Sequence, residues 1–263
     1  MKKVLTIAGS DTSGGAGLQA DLKTFQTHGV YGMCAITVIV APKPDDWGYR
    51  VFPLGLDILC KQLETVFEGI GVDAVKTGML GSVELIKLIA EYLDKHSPKY
   101  VVVDPVLACK GPGQVMNTEV ADALRDVMVQ RAYVLTPNLL EAGILSGLGN
   151  LETVDDVKKA AMKLRELGAK HVVIKGGSRL PTQVATDIYY DGEQFHIFTA
   201  DKIEKPYSHG AGCTFAATIT AELAKGATVL DAVKKANAFV NSGIKNGFKL
   251  NEFRGCLDYT KFN

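Results

Sequence analysis

The run His209-Gly210-Ala211-Gly212-Cys213-Thr214 sets a glycine turn directly ahead of an apolar, alanine-rich stretch and puts a thiol on what would be its first helical turn. Glycine lets backbone come close to a ligand, and the unpaired N–H groups of a helix start attract anions such as phosphate. The same positive end favours thiolate over thiol, which makes Cys213 a candidate base or nucleophile beside the anion. Taken alone, the run also fits a tight turn followed by a small buried cysteine.

More polar or glycine-rich groups stand where short apolar runs stop: Gly9-Ser10-Asp11, Lys76-Thr77-Gly78, Asp104-Pro105, Thr136-Pro137-Asn138 and Lys175-Gly176-Gly177. In a doubly wound sheet, ligands sit beyond the carboxyl ends of the strands, where these residues would lie. Asp104, with Asn138 and Glu141 in Asn-x-x-Glu spacing, offers hard oxygen ligands that suit Mg2+ held directly or through water. Asn138 and Glu141 equally suit a helix cap. Lys175 could face a phosphate oxygen or solvent. The glycine-rich loop Ser10 to Gly17 matches neither G-x-G-x-x-G nor G-x-x-x-x-G-K-[ST], so no Rossmann or Walker site is supported.

These groups need a frame. Strand-like runs cover Lys3 to Ala8, Ala35 to Val40, Ala74 to Lys76, Tyr100 to Asp104, Tyr133 to Thr136 and His171 to Lys175. Helix-like stretches include Leu18 to Thr27, Leu56 to Phe67, Val83 to Leu93, Thr118 to Val129, Val154 to Leu167 and Thr214 to Ala224. The alternation predicts an α/β fold, a mostly parallel sheet with helices on both faces in three layers. Runs such as Val101-Val102-Val103 fit strands buried on both sides. Asp191-Gly192 between two alternating runs signals a hairpin. Without a linker or repeat, the reading is one domain over residues 1–263, and Lys249 to Asn263 carries no signal.

Lysine plus arginine equals aspartate plus glutamate at 29 each, so no global field favours nucleic acid or a membrane surface. Five scattered cysteines without a C-x-x-C pair argue against a disulfide framework or a cysteine zinc site. The apolar run after Met1-Lys2-Lys3 is too short for a signal peptide, and no segment approaches the ~20 apolar residues of a membrane span. The expectation is a cytoplasmic protein.

Gly9 to Phe25, Lys76-Thr77-Gly78-Met79-Leu80, Val103-Asp104-Pro105-Val106, Thr136 to Ala142, Lys175-Gly176-Gly177 and His209 to Thr214 occur in the order of a known motif set. Together they resemble the hydroxymethylpyrimidine kinase and pyridoxal kinase branch of the ribokinase superfamily, over nearly the whole chain. The resemblance implies a ribokinase-like fold and transfer of the ATP γ-phosphoryl to a hydroxymethyl group on a heteroaromatic ring. It implies Cys213 as base, where most of the superfamily has aspartate, with Gly210, Ala211 and Gly212 forming the anion hole. Asn138, Lys175 and Gly176 join Gly210 and Gly212 around ATP, Asp104 and Glu141 serve Mg2+, and Asp11, Ser13 and Asp21 fall in the substrate loop. A homodimer is implied too.

Two departures bear on the acceptor. The hydroxymethylpyrimidine kinases of this kind carry Gln where this chain has Pro42, which has no side-chain polar atom to recognise the pyrimidine's amino group. Ala108-Cys109-Lys110-Gly111-Pro112-Gly113 supplies a second cysteine, as in the dual-cysteine pyridoxal kinases, where Cys109 would engage an aldehyde as a hemithioacetal. Tyr49 stands near a position where those kinases often have His. The expectation is a vitamin B6 kinase for pyridoxal, pyridoxine and pyridoxamine. The alternatives are a hydroxymethylpyrimidine (phosphate) kinase of thiamin biosynthesis, a dual-specificity enzyme, a cysteine hydrolase pairing Cys213 with His209, and a non-catalytic ligand-binding protein.

Overall fold

The computed structural model describes residues 1–107, 118–203 and 207–261; Cys109 lies outside them. The chain runs β1 (Lys3–Asp11), α1 (Gly17–Thr27), β2 (Tyr31–Pro42), β3 (Tyr49–Pro53), α2 (Leu56–Glu64), β4 (Ala74–Thr77), α3 (Val83–His96) and β5 (Val101–Val103). It continues through α4 (Thr118–Ala123), β6 (Val134–Leu135), α5 (Leu139–Ser146), α6 (Val154–Glu166), β7 (His171–Gly177), β8 (Ala185–Tyr190) and β9 (Phe195–Ala200). Last come α7 (Ala211–Ala224), α8 (Val229–Lys245), β10 (Phe248–Lys249) and β11 (Gly255–Cys256).

Nine strands form one sheet in the order β3-β2-β1-β4-β5-β6-β7-β8-β9. Neighbours from β2 to β7 pair in parallel, while β3, β8 and β9 are antiparallel at the two edges. The expected hairpin is β8–β9, closed at Asp191, whose Oδ1 accepts from the N–H groups of Glu193 and Gln194 at 2.8 and 2.7 Å.

Period-two alternation assigns each strand residue to a layer. Leu5, Ile7, Val75, Val101, Val103, Leu135, Val172 and Ile174 face the core beneath α2 to α6. Val102, Val134 and Val173 face the opposite core against α7 and α8, with Val4 and Ala74 in the adjoining cluster of Phe25, Ala217 and Ala221. Helices thus cover both faces, and a sheet buried on both sides accounts for the unbroken valine runs. Helix α7 is buried from Thr214 to Ala224, packed between α1 and α8 and against the sheet, which its small residues allow.

Two expected helices differ in their ends. Leu56 to Phe67 and Thr118 to Val129 are α-helical only to Glu64 and Ala123, then widen into π-helical turns over Thr65–Ile70 and Leu124–Met128. Strand β1 runs three residues past its apolar stretch, because a bulge between Ala8 and Ser10 lets Ser10 and Asp11 keep pairing with β2. Sequence patterning did not show β3, a five-residue edge strand, or α8.

Candidate active site

The carboxyl ends of the parallel strands open into a cavity of about 590 Å³. Asp11, Lys76, Asp104, Asn138, Glu141, Lys175 and the turn Gly210 to Cys213 all line it. Gly210 caps α7 at φ +89°, and a Cβ there would run into the carbonyl oxygen of Gly15. Only glycine fits. Ala211 N–H donates to Ser208 O at 3.1 Å, and Thr214 N–H makes the first intrahelical bond, to Gly210 O at 2.9 Å. Of the turn's amides, those of Gly212 and Cys213 lie ahead of that bond, while the Ala211 amide is already committed to Ser208.

Lysines fixed by carboxylates underlie this turn. Lys175 Nζ lies 2.6 Å from Asp104 Oδ1 and 3.3 Å from where a Cβ of Gly212 would stand. Burial works against its charge, but Asp104 and Glu141 outweigh it and hold Lys175 protonated. Lys76 Nζ lies 2.8 Å from Asp21 Oδ2, both side chains fully buried. Burial again opposes the charge, and Asp21, Cys213 and Asp104 keep the ammonium above its ordinary value.

Asp21 needs correcting as a substrate contact. It has no exposed surface, and its Oδ2 accepts from Thr6 Oγ1 at 2.6 Å as well as from Lys76. Asp21 sits behind Lys76, which is the residue that reaches the cavity. Ser13 likewise contacts Asp11 and His209 rather than the cavity wall. Asp11 does line the cavity and is the hub of its loop. Its Oδ2 accepts from Ala16 N–H at 2.9 Å and Ser13 Oγ at 2.8 Å and lies 2.8 Å from His209 Nε2; Oδ1 accepts from Ser13 N–H at 2.9 Å. Burial raises the Asp11 carboxyl, yet the His209 and Ser13 bonds hold it below its usual value. His209 thus ties the loop Ser10 to Gly17 to the turn Gly210 to Cys213, with its Nε2 on Asp11.

Cys213 remains partly exposed on the cavity wall. Burial, with Asp21 and Asp104, pushes its thiol up to about 11 against the pull of Lys76 and the Gly17 N–H. Gly17 takes φ +58°, and a Cβ there would strike the carbonyl oxygen of Gly9.

Asn138 and Glu141 form a capping box at the start of α5: Glu141 N–H donates to Asn138 Oδ1 at 3.0 Å and Asn138 N–H to Glu141 Oε2 at 2.8 Å. Both still line the cavity. Among the described residues no group of three or more His, Cys, Asp or Glu could cage a metal. Asp104 and Glu141 both line the cavity, and their hard oxygen atoms are of the kind that a mostly hydrated Mg2+ accepts.

The C-terminal stretch, unpatterned in sequence, belongs to the site. His209 N–H donates to Gly255 O at 3.2 Å, Tyr259 OH lies 3.0 Å from Thr214 Oγ1, and Phe253 and Arg254 line the cavity. Phe253 stacks on Trp47 with centroids 6.3 Å apart. Aspartate 187 was also missed: it accepts from Gly177 N–H at 3.0 Å and from Asn237 Nδ2 at 3.1 Å, which shapes the turn after Lys175.

Fold and site together define a ribokinase-like phosphotransferase acting on a hydroxyl group. The family model for phosphomethylpyrimidine kinase matches residues 11–258, and the chain belongs to that family. It is 52% identical to pyridoxine kinase of Bacillus subtilis, covering 97% of this chain and 94% of that protein. The hydroxymethylpyrimidine/phosphomethylpyrimidine kinase of the same organism is 40% identical over 99% of this chain and 95% of its own length. The solved pyridoxal kinase of Staphylococcus aureus in complex with AMP-PCP and pyridoxal superposes with a TM-score of 0.93 at 51% identity, covering 98% of this chain and 93% of that one.

Proposed function

We propose that the protein is an ATP-dependent vitamin B6 kinase that phosphorylates the 5'-hydroxymethyl group of pyridoxal, pyridoxine and pyridoxamine. The observation that carries this is the full-length likeness, 52% identical to a pyridoxine kinase against 40% to a pyrimidine kinase, around a cavity built for phosphoryl transfer. Pro42, at the end of β2 opposite Tyr49, supports the choice, since its side chain offers a pyrimidine amino group no acceptor.

In this reading Cys213, as thiolate, takes the proton of the acceptor hydroxyl. The resulting alkoxide oxygen bonds to the γ-phosphorus as the bond to the β-phosphate oxygen breaks, leaving ADP. The Gly212 and Cys213 amides and the α7 start receive the charge that spreads over the transferred group. Lys175 holds phosphate oxygens beneath Gly212, and Asn138 and Gly176 flank the nucleotide. When bound with ATP, Mg2+ neutralises phosphate charge; Asp104 and Glu141 are the residues that would hold it. Asp11, with Ser13 and His209 behind it, fixes the acceptor loop.

The described helices include none long and apolar enough to cross a membrane. A cytoplasmic homodimer using these small molecules, with no nucleic-acid partner, completes the proposal, and size-exclusion chromatography with light scattering checks the dimer. The function is tested by ADP release with pyridoxal, pyridoxine and hydroxymethylpyrimidine as competing acceptors. Higher kcat/KM for the two B6 vitamers is expected. A preference for the pyrimidine would move the protein to the thiamin pathway.

A further inference from the structure

Two separate parts of the chain meet at the end of the cavity that Asp11 marks. Hairpin β2–β3 borders Asp11 directly: Asp11 pairs with Val40 in the sheet, Thr12 N–H donates to Val40 O at 3.0 Å, and Val40 and Tyr49 line the cavity. The C-terminal stretch borders it through His209, which bonds Asp11 and bridges to Cys256, and Phe253 and Arg254 line the cavity there. Trp47, in the connection between β2 and β3, joins the two by stacking on Phe253, with ring centroids 6.3 Å apart and planes 22° apart. The contact comes at two local costs. Trp47 takes φ +56°, a left-handed backbone that a bulky side chain rarely adopts, and its indole Nε1 is buried with no hydrogen-bond partner among the described residues. The bonds of the turn itself, Trp47 N–H to Lys43 O at 3.1 Å and Lys43 N–H to Gly48 O at 2.9 Å, would close equally well around a glycine at position 47. What tryptophan adds is a ring against Phe253. Phe253 remains 37% exposed on the cavity wall, and Trp47 is the ring that fixes it there. Strain and an unpaired donor kept at one residue point to a function for that residue.

We propose that Trp47 is a positioning residue for the acceptor: stacked on Phe253, it clasps the β2–β3 hairpin to the C-terminal stretch and sets the wall against which the acceptor ring packs. The proposal rests on the reading that the Asp11 end of the cavity takes the acceptor. A planar heteroaromatic ring suits an aromatic wall, because ring pairs attract beyond the area they bury. The groups assigned to the nucleotide, Lys175 and Gly176 on β7 and Asn138 at the start of α5, belong to other elements. The clasp therefore acts on the acceptor and not on ATP.

The test uses the full-length protein, whose single tryptophan can be replaced by fluorotryptophan and followed by fluorine NMR. Pyridoxine and hydroxymethylpyrimidine are titrated separately, with AMP-PCP alone as the nucleotide arm. The resonance is expected to move with the acceptor that the enzyme phosphorylates and to move little with AMP-PCP, and Phe253→Leu should abolish the acceptor response. In steady-state kinetics Trp47→Leu should raise the acceptor KM by about 3- to 10-fold, the worth of an aromatic pair, with the KM for ATP within about twofold. Trp47→Phe, which keeps a ring against Phe253, should recover most of the loss. Adding Phe253→Leu to Trp47→Leu should cost little more, because both changes remove the same contact. A resonance unmoved by either acceptor, an unchanged acceptor KM in Trp47→Leu, or KM values for acceptor and ATP that rise together would each overturn the proposal. Should Trp47→Leu not fold, Phe253→Leu and the resonance of the otherwise unsubstituted chain still decide. A preference for the pyrimidine instead overturns the vitamin B6 reading, a separate result, since the clasp is then judged with the pyrimidine ring as acceptor.

Discussion

Glu141→Gln separates the two things Glu141 can do, cap α5 and serve the metal-bound nucleotide. Glutamine keeps a carbonyl oxygen where Oε2 accepts the Asn138 N–H at 2.8 Å, and it leaves the reciprocal 3.0 Å bond to Asn138 untouched. What disappears is the charge. A hydrogen bond to a charged acceptor contributes about 1 kcal/mol more than one to a neutral acceptor, so the stability loss is limited to about that. For a chain of this size that is a fall in Tm of roughly 2–4 °C. If Glu141 serves Mg2+, the same change removes one of the two carboxylates proposed to hold it and should weaken apparent Mg2+ affinity by about 10- to 100-fold. The assay is ADP release across a Mg2+ titration, paired with thermal unfolding of the same preparation. A displaced Mg2+ curve with near-normal Tm supports the metal role, and excess Mg2+ should restore part of the rate. A Mg2+ curve superposable on wild type, with Tm down by far more than a few degrees, would refute it and leave Glu141 as a cap.

Cys213→Ala should lower kcat by roughly 10²- to 10⁴-fold while ADP binding, measured calorimetrically, persists; a folded variant with near-normal turnover rejects the base. Because burial raises the Cys213 thiol to about 11, the reactive thiolate of the free protein should grow with pH from neutrality toward that value. Alkylation of Cys213 should therefore rise about tenfold per pH unit between pH 7 and 9, and a plateau there would contradict the burial argument. Asp21→Ala should destabilise the protein by about 3–5 kcal/mol in urea unfolding, because it strands a buried ammonium; a loss under 1 kcal/mol would mean the pair is not buried in solution. Asp191 is held down to about 2, first by the Gln194 N–H and then by those of Glu193 and the His196 ring. Its folded value lies below its ordinary 3.8, so its contribution to stability is present above 3.8 and fades as pH falls through about 2. Asp191→Ala should flatten the acid limb of the Tm profile in that window, and an unaltered limb would show that the turn does not depend on the carboxylate.

How much of this was legible depends on whether the relevant physics is local. Strand ends were, because a buried parallel strand reads as an apolar run, and the polar residue that stops it is the one that reaches the ligand edge. Asp11, Lys76, Asp104, Asn138 and Lys175 all follow from that rule, and all line one cavity. The glycine turn was legible because Gly210 must take φ +89° against Gly15, which no other residue tolerates. What sequence could not supply were pairings across distance. Asp21 lies in a motif that suggests a substrate contact, yet its partner is 55 positions away, and only the parity of β4 against α1 shows that the carboxylate faces Lys76 instead. The same holds for His209, which sequence placed only by its four-residue spacing from Cys213, while the fold sets Asp11, 198 positions away, within 2.8 Å of its ring. The C-terminal stretch failed for the opposite reason. Two-residue strands carry no period, and the signal lay in the aromatics Phe253 and Tyr259 among scattered apolar residues such as Leu250 and Leu257. Such aromatics bury a large area and seldom stand idle in a tail. Here one stacks on Trp47 and the other lies within hydrogen-bonding distance of Thr214, the residue next to Cys213.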